Sequence, residues 1–279
     1  KFFNTLKNTY TFFELYANTD EVDSREFKVK YENLEQIDKW LLSKYNSLVL
    51  NVTNAMEKYD LNKTVRLIQD FVCDDLSNWY IRRNRRRFWG SSLDNSKMSV
   101  YQTTYEVLIG VCKLMAPVSP FISEEIYRNL TGEVSVHLSD YPEVDEKAID
   151  KELEEKMDLV IELISYARNV REESKIKVRQ PISEIILESK YKNSIKEFED
   201  LICEELNAKK VIWASDMSEY LTTKYKPNFK EVGKLFGSNL SKFSEYLSNI
   251  TIEDIKLLDN EKLMLNFDGE EVLIKPSYV

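Results

Sequence analysis

The sequence predicts a mainly α protein: an antiparallel helical bundle followed by a small α+β domain. Three observations lead there. Only six glycines and six prolines occur in 279 residues, and helix interiors tolerate neither. Apolar residues recur at three- and four-residue steps through the first half of the chain, the spacing of one helix face. Beyond Glu173 that period gives way to short apolar and alternating runs bounded by turn residues, as strands require.

Phe2, Leu6, Tyr10, Phe13 and Ala17 form the stripe of a first helix, and the polar stretch from Asn18 to Tyr31 is a loop. Ile37, Leu41, Tyr45, Leu48, Val52, Met56 and Tyr59 mark a long second helix. Asp60 caps a third, whose stripe runs through Leu61, Val65, Ile68, Val72, Leu76 and Trp79. A fourth runs from near Ser99 to Met115, where Pro117 ends it. Ser119 and Pro120, a cap followed by proline, open a fifth that Gly132 stops. The segment from Glu133 to Pro142 reads as extended, and a helix from about Asp145 to Glu173 follows. Ile176–Gln180, Ile185–Leu187 and Val211–Trp213 read as strands, with a helix through Ile195, Phe198, Ile202 and Leu206. Asn228 to Ile250 returns to helix, and a hairpin closes on Asp268-Gly269. The expected domains are a bundle over 1–143, a linking helix with the α+β unit over 144–222, and C-terminal helices with a hairpin over 223–279.

Composition excludes several functions. With one histidine, any catalytic triad or His-ligated metal site must use His137. We read His137 as a half-buried linker residue and expect neither a catalytic residue nor a metal ligand here. No stretch approaches the ~18 apolar residues of a membrane span. Cys73, Cys112 and Cys203 lie far apart among apolar neighbours and read as buried thiols in a reducing cytoplasm. The chain does not begin with Met and has no apolar leader, as expected of a segment cut from a longer chain.

Charge is strongly segregated within a net −9. From Asp140 to Glu162 ten acids and three lysines give −7; from Tyr166 to Gln180 five bases and two acids give +3. The densest signal is Asp75 to Trp89, DLSNWYIRRNRRRFW. Arg82, Arg83, Arg85, Arg86 and Arg87 fall within six residues, beside Trp79, Tyr80, Phe88 and Trp89. Like charges at three- and four-residue spacing repel, so something must offset the cost. Guanidinium forks fit phosphate, and aromatic faces stack on unpaired bases. Three readings are open: RNA contact, an intramolecular or domain interface, and a solvated face. Lys224, Lys226, Lys230, Lys234 and Lys242, with Glu231 between them, give a +4 stretch beside Phe229 and Phe236. Arg168, Arg171, Lys175, Lys177 and Arg179 form a third basic patch that could brace two domains or touch an RNA stem.

The run from Asn78 to Trp89 closely resembles the anticodon-binding bundle of the isoleucyl-tRNA synthetases, of the eukaryote-like subtype. Further likeness lies in Phe2–Leu6 with Asn8–Tyr10 and Phe12-Phe13, in Asp38–Ser43, Leu114–Phe121, Ser135–Pro142 and Lys177–Pro181, and in Lys226–Phe229. It covers roughly Lys1 to Gly237. The resemblance implies a class Ia anticodon-binding domain without the HIGH and KMSKS motifs, which lie upstream in the family. His137 lies between Val136 and Leu138, and Lys97-Met98-Ser99 continues as Val100-Tyr101, so neither motif is present.

By this resemblance the whole enzyme attaches isoleucine to its tRNA with ATP and Mg, in the cytoplasm. The present segment binds tRNA, carries no cofactor and is inactive alone. The implied tRNA-binding residues are Trp79, Arg82, Arg83, Arg85, Arg86, Arg87, Trp89, Arg179, Lys226 and Lys230. The implied partners are the isoleucine-accepting tRNA and the upstream catalytic domain, with no membrane. The alternative is a structural brace whose arginines dock on that catalytic domain, with RNA contacts mainly elsewhere.

Overall fold

In the computed structural model, residues 1–217, 220, 225–267 and 270–279 are described. They form two compact units, one of residues 1–185 and 191–211, the other of residues 186–190 and 212–279. The protein is mainly α, a helical bundle followed by a small α+β region.

In the first unit the bundle is built from α1 (Phe2–Thr19), α2 (Gln36–Glu57), α3 (Leu61–Asp70), α4 (Arg82–Trp89), α5 (Asn95–Met115) and α6 (Pro120–Thr131). Their apolar stripes meet in a core that includes Leu6, Trp40, Leu41, Val52, Leu76, Tyr101 and Leu108. Asp60 caps α3 as expected, its carboxylate accepting the Lys63 N–H at 3.0 Å. Gly132 ends α6 at φ +73°, a conformation glycine adopts without strain. Ser119 precedes the proline at the start of α6, but its side chain makes no cap hydrogen bond.

α3 and α4 belong to one helix. Phe71–Ile81 continues between them as a π-helix with helical dihedrals at both joins. Such stretches are ordinarily a single turn, and neither composition nor period announced this one. Phe88, at the far end, packs edge-on against Phe12 and Tyr101, each 5.1 Å between ring centroids. That contact pins α4 against α1 and α5.

The helix expected from Asp145 starts later, as α7 (Lys151–Glu173), because the Asp150 carboxylate caps the Leu153 N–H at 2.9 Å. The stretch from Glu133 to Pro142 is not fully extended, since Val136–Leu138 makes one 3₁₀ turn. The strand expected at Ile176–Gln180 is instead a turn. Lys177, Val178, Arg179 and Gln180 are exposed, and the Gln180 N–H donates to the Lys177 carbonyl at 2.9 Å. The carbonyls of Lys177 and Gln180 are collected by the buried Arg171 guanidinium rather than by a neighbouring strand. The helix expected through Ile195 to Leu206 is broken into α8 (Lys192–Ile195), a 3₁₀ turn and α9 (Glu199–Leu206).

β1 (Ile185–Glu188) and β2 (Val211–Ala214) pair in a two-stranded sheet. The second unit also contains α10 (Phe229–Phe236), α11 (Leu240–Ser248), α12 (Ile252–Asp259) and the antiparallel pair β3 (Leu263–Phe267) and β4 (Glu270–Ile274). The single helix expected there is split at Gly237, whose φ +43° and ψ −115° no side-chain-bearing residue favours. α12 has no counterpart in the sequence reading; Thr251 starts it by accepting the Asp254 N–H. Phe236 stacks on Phe243 at 4.6 Å, and Phe267 meets Phe236 edge-on at 5.2 Å, giving this unit its own core. The expected turn residues Asp268 and Gly269 lie outside the described residues.

Candidate nucleic-acid interface

The five arginines of α4 divide into three groups. Arg87 points inward. Its Nη1 and Nη2 donate to the two oxygens of Asp38 at 2.7 and 2.8 Å, and its Nε donates to Ser96 Oγ at 2.9 Å. Asp38 is fully buried and also accepts the Tyr80 hydroxyl at 2.6 Å and the Glu35 N–H at 3.2 Å. A buried carboxylate satisfied in this way is a structural anchor. Burial and the adjacent Asp38 carboxylate push the Tyr80 hydroxyl well above its ordinary pKa.

Arg82 and Arg83 point toward α9. Arg82 Nη2 donates to Glu205 Oε2 at 2.7 Å, and Arg83 reaches Glu205 at 3.1 Å and Glu204 at 2.9 Å. Arg168 of α7 donates to the same Glu205 oxygen. Burial pushes the Glu205 carboxyl up, but hydrogen bonding from Arg82 and the charges of Arg82, Arg83 and Arg168 outweigh it and hold the group below the usual carboxylate range.

Arg85 and Arg86 are exposed, and neither forms an ion pair with another of the described residues. Trp89, one turn further, is 56% exposed and packs on no other ring among the described residues. Two guanidinium groups and an indole are thus presented to solvent together on one short helix.

Several sequence-predicted sites need correction. Trp79 is only 5% exposed and sits beneath the Arg82 guanidinium at 5.7 Å, so it supports that arginine and offers no face to a base. Arg87 has its donors consumed by Asp38 and Ser96, so it is not free to bind phosphate. His137 is exposed rather than half-buried. Of the thiols only Cys112 is buried, and burial raises its pKa to about 12; Cys73 and Cys203 are half-buried. Lys97 is buried and paired with Asp20 at 2.5 Å, a structural role in the first turn of α5.

The third basic patch is divided by the fold, with Lys175, Lys177 and Arg179 exposed. Arg168 serves Glu205, and Arg171 is buried against the carbonyls of Leu206, Lys177 and Gln180. Arg179 remains exposed on its turn. In the second unit, Lys226 and Lys230 are exposed beside Phe229, itself 63% exposed at the start of α10. Lys224 lies outside the described residues, as does the Lys234 side chain.

Sequence reasoning missed Asp38, Glu204 and Glu205 as partners of the arginine run. The only available signal was the run itself, whose repulsion demanded nearby carboxylates. Glu204-Glu205 by itself looks like any acidic pair on a helix face. Among the described residues no group of three or more His, Cys, Asp or Glu side chains could hold a metal ion. No helix among them is long and apolar enough to cross a membrane.

Comparison with known proteins gives the chain's family. Residues 38–187 match the family model described as the anticodon-binding domain of tRNA ligase. The chain is 40% identical to an isoleucine–tRNA ligase of Cytophaga hutchinsonii over 284 residues, covering 98% of this chain and 26% of that protein. Bacteroides thetaiotaomicron has one at 39% over 289 residues, covering 100% and 25%. That of Clostridium novyi is 38% identical over 278 residues, covering 96% and 26%. The chain thus spans about a quarter of the length of the relatives it matches.

Proposed function

The chain belongs to the isoleucine–tRNA ligase family, and from that premise we propose that it is the segment that grips the anticodon arm of the isoleucine-accepting tRNA. The whole enzyme then joins isoleucine to that tRNA with ATP and Mg in the cytoplasm, and its catalytic domain is the partner of this segment within the same protein. This segment positions RNA and performs no chemical step. By role it divides into a recognition bundle over 1–143, a linking helix and α+β unit over 144–222, and C-terminal elements over 223–279.

The observation that carries the reading is the pair Arg85 and Arg86 beside Trp89, exposed and without an ion-pair partner among the described residues, on a helix whose other three arginines are all engaged. Guanidinium forks make charge-assisted contacts to phosphates and set the register of the RNA. An exposed indole can stack on a splayed anticodon base, a contact worth roughly 1–3 kcal/mol. Arg179, Lys226 and Lys230 are secondary phosphate contacts under this proposal. The bonds of Arg82 and Arg83 to Glu205 lie within this chain and turn those two residues toward α9, so under this proposal the primary RNA contacts are Arg85, Arg86 and Trp89.

The test is tRNA binding by the Arg85→Glu/Arg86→Glu variant. Affinity should fall at least about tenfold, and the salt slope should drop by roughly 1.4–1.8 for two lost phosphate contacts. Unchanged affinity and slope would refute an RNA role for this helix face. Binding of the parent chain should also weaken when the isoleucine anticodon is swapped for another.

A further inference from the structure

Glu205 is served by more cations than it can neutralise. Arg82, Arg83 and Arg168 carry three positive charges against the two carboxylates of Glu204 and Glu205, leaving +1 at the junction of α4, α7 and α9. Two of these guanidiniums, Arg82 and Arg168, meet on the same oxygen, Glu205 Oε2. The Glu205 side chain is 5% exposed, whereas those of Arg82 and Arg168 are 37% and 38% exposed. The carboxylate is buried while both guanidinium side chains that share it are partly open to solvent.

Each fork keeps unspent donors. A guanidinium has five N–H groups. Arg82 spends Nε on the Asn78 carbonyl and one Nη2 proton on Glu205. Among the described residues Arg168 spends only its Nη2 contact to Glu205. Two like charges held side by side repel, and a second anion on their open side would relieve that while filling the free donors.

We propose that Arg82 and Arg168 form a binding site for one phosphodiester of the bound RNA, with Glu205 as the positioning residue that holds the two forks side by side. The site continues the exposed face of α4. Arg86 follows Arg82 by four residues and Trp89 follows Arg86 by three, so they fall on one helical stripe. A strand stacked at Trp89 and held at Arg86 would run toward Arg82 and Arg168 within about one to two helical turns. Arg168 thereby becomes an RNA contact contributed by α7, far from the arginine run in sequence. The inference rests on the RNA-binding reading above.

The experiment measures tRNA affinity against salt for the parent chain, Arg168→Gln, Arg168→Lys and Glu205→Gln, with the isoleucine anticodon intact and swapped. Arg168→Gln should weaken binding several-fold and reduce the salt slope by about 0.7–0.9, the value of one phosphate contact. The ratio of affinities for the two anticodons should not change, because phosphate contacts carry no base information. Arg168→Lys, which keeps the charge and loses the fork, should fall between the two. Glu205→Gln removes a negative charge, so electrostatics alone would tighten RNA binding; loss of positioning should weaken it instead. Arg168→Gln with parental affinity and slope overturns the site, and tighter binding by Glu205→Gln overturns the positioning role. Thermal melting checks that each variant folds, and should Glu205→Gln not fold, the two Arg168 variants carry the decision. A parent chain that fails to bind tRNA overturns the underlying reading itself, whereas failure of Arg168→Gln alone leaves that reading standing.

Discussion

Two carboxylates of the first unit, one buried and one half-buried, meet opposite fates. Glu205 is surrounded by three guanidiniums and held below the usual carboxylate range. Asp75, in the π-helical stretch, has only the Lys44 ammonium at 4.0 Å, and Lys44 is shared with Asp158 at 3.2 Å. Burial therefore dominates at Asp75 and pushes its pKa up to about 6, with Lys44 opposing and Asp158, Asp74 and Glu154 adding to the rise. The difference teaches what burying a charge requires. Planar forks at hydrogen-bond distance outweigh desolvation, while one distant ammonium does not. Asp38 is likewise met by a planar fork, both arms of Arg87 donating to its two oxygens.

The strongest way to break the comparison is to strip a fork from its carboxylate. Arg87→Met leaves Asp38 buried without a cation and should cost about 3–5 kcal/mol in urea unfolding. A loss below about 1 kcal/mol would show that the pair is not an anchor.

Glu205→Gln should cost about 1–3 kcal/mol at pH 7, and the pH dependence has a definite sign. Because the folded pKa is depressed, the stabilisation is fully present above the unfolded value of about 4.3 and is lost as pH falls through the folded one. Parent and variant should therefore converge in acid. Persistent separation there would rule out the charge as the cause.

Asp75 sharpens the contrast, because its sign is reversed. The folded form holds the proton more tightly, so its destabilisation is complete above about pH 6 and vanishes below the unfolded value of about 3.9. Asp75→Asn should raise stability at pH 7 by about 3 kcal/mol and remove the parent's gain in stability between neutral pH and pH 5. Denaturation midpoints across pH decide it. The smallest expected effect is that of Arg85→Glu/Arg86→Glu on stability, within about 0.5 kcal/mol for an exposed face. A larger loss would mean that these arginines also hold the fold together.

Much of the fold was legible in the sequence because its signals are local. The stripes of α1, α2 and α5, the Asp60 cap and the stop at Gly132 each depend on residues within a turn or two of one another. The misread elements depended on distant partners. Ile176–Gln180 alternates like a strand, yet the Arg171 guanidinium takes its carbonyls. The π-helical stretch between α3 and α4 has no local code comparable to a cap or a glycine.

For the candidate site the division is similar. The sequence alone placed an exceptional density of positive charge and aromatics between Trp79 and Trp89, which commits the helix to recruiting anions. Which anions it recruits was decided only when the chain folded. Glu205 lies more than a hundred residues from Arg82 and Asp38 more than forty from Arg87, and nothing in sequence spacing ties these pairs together. Tertiary packing buried those two carboxylates beside three of the arginines and left Arg85, Arg86 and Trp89 facing water. A helix points its side chains around a full circle, and only its neighbours settle which of them remain free to bind something else.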